Sequence, residues 1–439
     1  MTNSGNLSTV RGAALYIGAL LGPSVLLLPG LAAGLAGPAS ILAWVGLLAL
    51  SGLLARVFTG LGTRLPSAGG VAAYARAGLG ERAGRAVGWS FLAGAVVGAP
   101  VVCLIGGGYL ASAFGGGRVA SAVAAGALLL VVIGLTTSGA RATTTVQLVL
   151  VGVLVVLVAT AVVGSLPGAR AGNWTPFAPH GWPAVGSAAS VLMLSFVGWE
   201  AIAPMIAQLR DPVRQLPRII GVAFAVTAVV YLGLALATIA VLGGRSDGAV
   251  PLAGLLRVAV GPAGPVIAAV AAVVLTLAAT NAYLSGAAVL AGELRARRAG
   301  AAARRAGRRL QWGIAVMGVV LLTGSGTGLF STALLVALPT TLFLIVYLGC
   351  TAAAVRILAG RTRLAAAVSC LAVAGVLAFA GWALVPAALV VALGAWAPAP
   401  RPAPDRAATS AATEPDPRAL PAAARQAVAA TVSPAPTPR

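Results

Sequence analysis

Two short stretches of this 439-residue chain combine residue types that an uninterrupted apolar helix has no use for. The first, "LLGPSVLLLP" (20–29), carries Leu20, Gly22, Pro23 and Ser24. The second, "LSFVGWEAIAP" (194–204), carries Ser195, Phe196, Val197, Gly198 and Glu200 before Pro204. In each, a glycine lies near the centre of a long apolar run and a proline follows six or seven residues on. A helix broken inside a membrane exposes N–H groups at one half-helix end and carbonyls at the other. Hydrocarbon satisfies neither, whereas a ligand or a water-filled cavity satisfies both. Gly22 and Ser24 would offer donors and the positive dipole end to a carboxylate, and carbonyls near Leu20, Ser195 and Val197 would accept from an ammonium group. That donor and acceptor pair matches the backbone of a free amino acid.

Glu200 is the one carboxylate well inside an apolar run; Glu81, Asp211, Asp247 and Glu293 fall in loops or at their edges. An ionised carboxylate in a bilayer costs at least about 2.5–3.5 kcal/mol, so Glu200 is either partnered or protonated. It reads as a proton-responsive coupling group or as a structural hydrogen bond that locks the bundle. Asn281 and Tyr283, in "LAATNAYLSG", either face the same cavity or glue helices together. Thr276 and Thr280 either contribute to a sodium site or bond their own backbone. His180 sits in the polar stretch "NWTPFAPHGWP" and reads as surface, and the three-residue match Asn173-Trp174-Thr175 to a glycosylation sequon arises easily by chance. Cys103, Cys350 and Cys370 have neither metal nor disulfide spacing and read as small apolar filling. No cofactor or metal is expected.

These residues must be positioned by membrane helices. The chain is 59% hydrophobic and 8% charged, with a mean hydropathy of +1.00. Apolar runs long enough to span a bilayer, roughly 20 residues each, recur about twelve times. They cover approximately 12–36, 39–62, 87–114, 119–138, 143–166, 184–208, 217–243, 265–292, 310–323, 329–355, 364–380 and 382–397. None alternates as barrel strands do, so the expected fold is all-α. The first run is too long for a signal-peptide core and has no clear cleavage site after it, so it reads as a retained helix.

The formal net charge of +21 comes entirely from arginine. Apart from Arg118, Arg170, Arg245, Arg257 and the tail, every arginine lies in or beside one set of loops, which places both termini in the cytoplasm of a multi-pass cell-membrane protein. The charge is topology and not a nucleic-acid site. An intramembrane enzyme would need an acid pair, a metal cluster or a nucleophile with its base, and the runs offer none. Rings of charge and a carbonyl filter repeat, the marks of a channel, are also missing. A transporter in the bilayer remains; with one buried acid and no buried base, a charged substrate side chain would lack a fixed partner, which favours a small neutral amino acid, and no oligomeric state follows.

The two interrupted runs lie five spans apart. An odd offset reverses the direction of entry, so two inverted units are expected, about 12–166 and 184–355, with extra helices at about 364–397. Interrupted helices at matching places in inverted repeats mark a carrier's binding site near the midplane. Residues 1–11 form the amino terminus and 12–397 the transporter domain. Residues 398–439, rich in Pro and Ala, have too few large apolar side chains to offset ordering entropy and are expected to be a disordered cytoplasmic tail.

At these residues the chain resembles the amino acid, polyamine and organocation superfamily. "LLGPSVLLLPGLAA" is similar to the family's broken first helix. "RLPSAGGVAAYARAGLGERAGRAVGW" (64–89) is similar to its first inner loop and third-helix start. "SFVGWEAIAPMIAQLRDPVRQLPR" (195–218) is similar to its sixth helix and exit. Within the superfamily, bacterial exporters of methionine and branched-chain amino acids look nearest. The resemblance implies a five-plus-five inverted-repeat (LeuT-like) fold with helices 1 and 6 discontinuous. It also implies that Leu20, Gly22, Pro23 and Ser24 meet the substrate's charged ends, that Ser195, Phe196, Val197 and Gly198 form the unwound sixth-helix segment, and that Glu200 is the family's acid. It implies efflux of neutral amino acids by proton exchange; an importer of the same fold, and a non-transporting sensor or lipid-binding protein, are the alternatives. The chain departs from the family pattern at Pro23, which has no N–H to donate, and at Gln208, where many members carry Glu.

Overall fold

A computed structural model describes residues 8–65, 70–138, 144–199, 211–243, 250–295 and 301–397. The first apolar run is two helices, α1 (Thr9–Leu20) and α2 (Ser24–Ala36). Pro23, with φ −57°, stands directly before α2, where its missing N–H costs no helical bond. Pro29 lies inside α2 and does not end it.

Helix α3 (Ser40–Arg64) returns across the bundle, and a short amphipathic connector, α4 (Gly70–Leu79), leads into α5 (Glu81–Ala113). Helices α6 (Arg118–Thr137) and α7 (Thr144–Ser165) complete the first unit. The second unit opens with α8 (Pro183–Leu192), which tightens to a 3₁₀ turn over Met193–Phe196 and then leaves helical geometry. After it come α9 (Pro212–Ala237), the connector α10 (Pro251–Val260), α11 (Gly264–Arg295), α12 (Ala301–Gly326) and α13 (Thr332–Ile357). Two further helices, α14 (Gly360–Ala378) and α15 (Leu384–Trp396), follow.

The third long helix of each unit, α5 and α11, is the longest, with 33 and 32 residues. At about 1.5 Å per residue each is longer than a bilayer core is thick, with its charged end at Glu81 or Arg295. They pack on each other and, with α6 and α12, form one group of helices. Around the breaks a second group forms, in which α1 packs on α9, α2 on α8, and α3 on both α8 and α9. Close approach within the first group depends on glycine: a Cβ at Gly107 would lie 2.5 Å from the Ser121 carbonyl oxygen of α6.

The apolar runs and the helices agree closely, with one correction. The ninth span, expected over 310–323, begins at Ala301, so the arginine-rich segment before Leu310 supplies the first turns of α12. Arginine and alanine are strong helix formers, and the span is extended by its own basic end. The connectors α4 and α10 are too short to span and were not anticipated as helices. The expected disorder of 398–439 concerns residues outside those described, as do Gln208 and Pro204.

Candidate functional site

The first break is set by what the chain between α1 and α2 cannot do. Leu21 still donates to the Ile17 carbonyl at 2.7 Å, but helical bonding then lapses and restarts with Val25 donating to Gly22 and Leu26 to Pro23, both at 3.1 Å. Among the described residues neither the Gly22 nor the Ser24 amide has a backbone acceptor, and Pro23 has no amide to give. Ser24, 6% exposed, lies at the head of α2, where the half-helix dipole is positive.

At the second break Val197 turns extended (ψ 131°). Gly198 takes φ +142°, a backbone region that side-chain-bearing residues rarely enter. The Gly198 amide donates to the Tyr347 hydroxyl at 3.1 Å, and that hydroxyl donates to the Phe196 carbonyl at 3.2 Å. Trp199 is fastened by its indole N–H to the Ser51 hydroxyl of α3 at 2.8 Å. Glu200 lies outside the described residues.

The two breaks meet at one side chain. The Tyr231 hydroxyl of α9 is 2.6 Å from the Leu20 carbonyl oxygen and 2.6 Å from that of Ser195. The two carbonyls therefore lie within twice that distance of each other. A phenol has one proton, so it can donate to only one of them at a time. Trp44 and Phe196 pack on the Tyr231 ring, with centroids 5.2 and 5.4 Å away. The Trp44 indole N–H and the Thr227 hydroxyl, the latter one turn before Tyr231 on α9, are buried and have no hydrogen-bond partner among the described residues.

Of the site residues expected from sequence, Leu20, Gly22, Pro23 and Ser24 sit at the first break and Ser195, Phe196, Val197 and Gly198 at the second, with Tyr231 linking the two. Asn281 is buried in α11, and its side-chain oxygen accepts from Thr136 of α6 at 3.1 Å, a bond between two helices of the other group. Thr276 and Thr280 are also buried, and neither hydroxyl has a hydrogen-bond partner among the described residues. The Asn173 side chain donates to the Ala240 carbonyl at 2.8 Å, so its amide serves the fold. Tyr231, Tyr347, Trp44 and Ser51 were missed. The only trace of them in sequence is a hydroxyl or indole within an otherwise apolar run.

The comparisons with known proteins agree with this architecture. Residues 7–406 match the amino acid permease family. The chain is similar to the uncharacterized amino acid permease YecA of Bacillus subtilis (strain 168), 31% identical over 410 residues that cover 89% of this chain and 94% of that one. A shorter stretch of 80 residues, 18% of this chain and 17% of the relative, is 31% identical to the branched-chain amino acid permease BcaP of the same organism. Among solved structures, that of MhsT in complex with L-phenylalanine superposes with a TM-score of 0.54 at 15% identity, over 89% of this chain and 100% of that one. The likeness gives the fold: an all-helical membrane protein of the LeuT-like class.

Proposed function

This chain belongs to the amino acid permease family, a family of transporters and not of enzymes, and from that premise we propose that it carries small neutral, apolar amino acids by alternating access. The observation that carries the reading is the meeting of the two breaks at Tyr231. One phenolic proton faces two carbonyl oxygens, and a substrate ammonium, with three N–H donors, supplies what a single hydroxyl lacks. The Gly22 and Ser24 amides at the head of α2 are the matching site for the carboxylate. Ser51, Trp44, Tyr231 and Tyr347, which line or hold the breaks, are uncharged, so a charged substrate side chain would find no fixed partner among them. Short stretches match relatives named for branched-chain and for cationic amino acids alike, so the choice of a neutral substrate rests on the uncharged side chains at the breaks.

Movement of the α1/α2, α3, α8 and α9 group against the α5, α6, α11 and α12 group would open the site to either side. In this proposal export is driven by proton exchange, with Glu200 as the proton-responsive residue, and both termini are cytoplasmic. Counterflow of labelled leucine or methionine in proteoliposomes tests transport itself: exchange without a pH gradient is expected, and its absence would leave a sensor or lipid-binding protein. Net flux in vesicles of known orientation separates an exporter from an importer. Glu200→Gln should abolish the pH dependence of exchange while leaving substrate binding; a pH profile like that of the unmodified chain would return Glu200 to a structural role.

A further inference from the structure

Away from the breaks, at the end of the molecule where α5 begins and α15 finishes, a groove of about 410 Å³ runs between α5, α11, α12 and α15. A volume of that size falls within the range of small-molecule sites, about 300–1,000 Å³. Its walls include Trp89, Leu92, Val96, Leu310 and Leu393, and the one charged side chain among its lining residues is Arg309. The transport cycle proposed above uses none of them.

The walls are built firmly. Gly394 packs against α5 so closely that a Cβ there would come 2.8 Å from the Cβ of Trp89. Arg85 donates to the Ala395 carbonyl at 2.9 Å, and the Arg82 guanidinium sits 5.5 Å from the centre of the Trp396 ring. The end of α15 is thus clamped to the start of α5, and the groove beside it is a fixed feature of the packing. At its mouth Arg309 and its neighbour Arg308 are both exposed, and neither forms an ion pair among the described residues. Glu81, the nearest acid in sequence on α5, is already paired with Arg76 at 3.3 Å.

An apolar slot in a membrane protein with exposed guanidinium groups at its end matches the two halves of one class of molecule: a hydrocarbon chain and an anionic phosphate. We propose that this groove binds an anionic phospholipid, with an acyl chain lying between α5 and α15 and the headgroup phosphate on Arg309. Arginine suits this role because its stem lies along apolar surface while its head reaches the interface.

Native mass spectrometry of the full-length chain, delipidated in detergent and then given phosphatidylglycerol or phosphatidylcholine of identical chains, tests the site. Phosphatidylglycerol should be retained preferentially. Arg309→Gln should lower its retention about five-fold, the value of one guanidinium near an anionic lipid, and leave phosphatidylcholine unchanged, whereas Arg309→Lys should keep the preference. Ala93→Phe, which fills the groove from α5, should reduce both lipids, with elution volume and melting temperature confirming that each variant is folded. Equal retention of the two lipids by the unmodified chain, or a preference that survives Arg309→Gln, would overturn the proposal. Retention of neither lipid would overturn it too.

Discussion

A single hydroxyl joins the two interrupted helices. Tyr231 touches a carbonyl from each, and removing its oxygen leaves both oxygens buried without a donor, at a cost of about 1–3 kcal/mol. Tyr231→Phe should therefore lower the melting temperature in detergent, and excess leucine should recover part of that loss, because its ammonium would serve both freed carbonyls; an equal deficit with and without leucine would show that the hydroxyl serves the fold alone. Ser51→Ala isolates the neighbouring contact, because it strands the Trp199 indole N–H. The expected loss is about 1–3 kcal/mol of stability, read as a lower melting temperature in detergent. Neither residue was legible in sequence. Glycine and proline announce that the backbone will be freed at a given place, but which distant side chain reaches the freed carbonyl depends on how spans far apart in sequence pack.

Breaks and close contacts are properties of whole helices. The residues of the first break, Leu20 to Ser24, could be read directly because their chemistry is local: proline removes an amide and glycine lowers the cost of leaving the helix. The unwinding at Val197 and Gly198 was legible for the same reason. Packing within the α5/α6 pair turns on Gly107, and a neighbouring glycine provides the control. Gly107→Val would drive a side chain into the Ser121 carbonyl and should destabilise by about 1–3 kcal/mol. At Gly108 an added Cβ meets nothing within 4 Å, so Gly108→Ala should raise the melting temperature, alanine being the better helix former by up to about 1 kcal/mol. Equal effects at the two positions would contradict the packing of α5 on α6. The start of α12 at Ala301 escaped the apolar pattern because its alanines and arginines form helix by propensity, and the connectors α4 and α10, ten residues each, escaped it because they are too short to span and are held by packing on neighbouring helices.

For the molecule as a whole, the helices fall into two groups, with the breaks in one and the two longest helices in the other. The orientation proposed from arginine placement can be tested with an impermeant maleimide on intact cells. Cys103 and Cys350 are buried and should not react. In a Cys370→Ala background, Gly172→Cys, in the exposed loop after α7, should label at once, and Arg361→Cys, at the start of α14, only after permeabilisation; the reverse order would invert the topology.

By itself, the sequence determined the class of molecule, the spans, their inverted pairing and the places where two helices must break, since each follows from a local balance between hydrocarbon, peptide hydrogen bonds and the geometry of glycine and proline. The tertiary structure decided that those breaks converge on Tyr231, that Asn281 bonds across to Thr136, and that Arg309 borders an apolar groove. Such contacts join residues far apart along the chain, and the spans of apolar sequence that bring them together look much alike until they are packed.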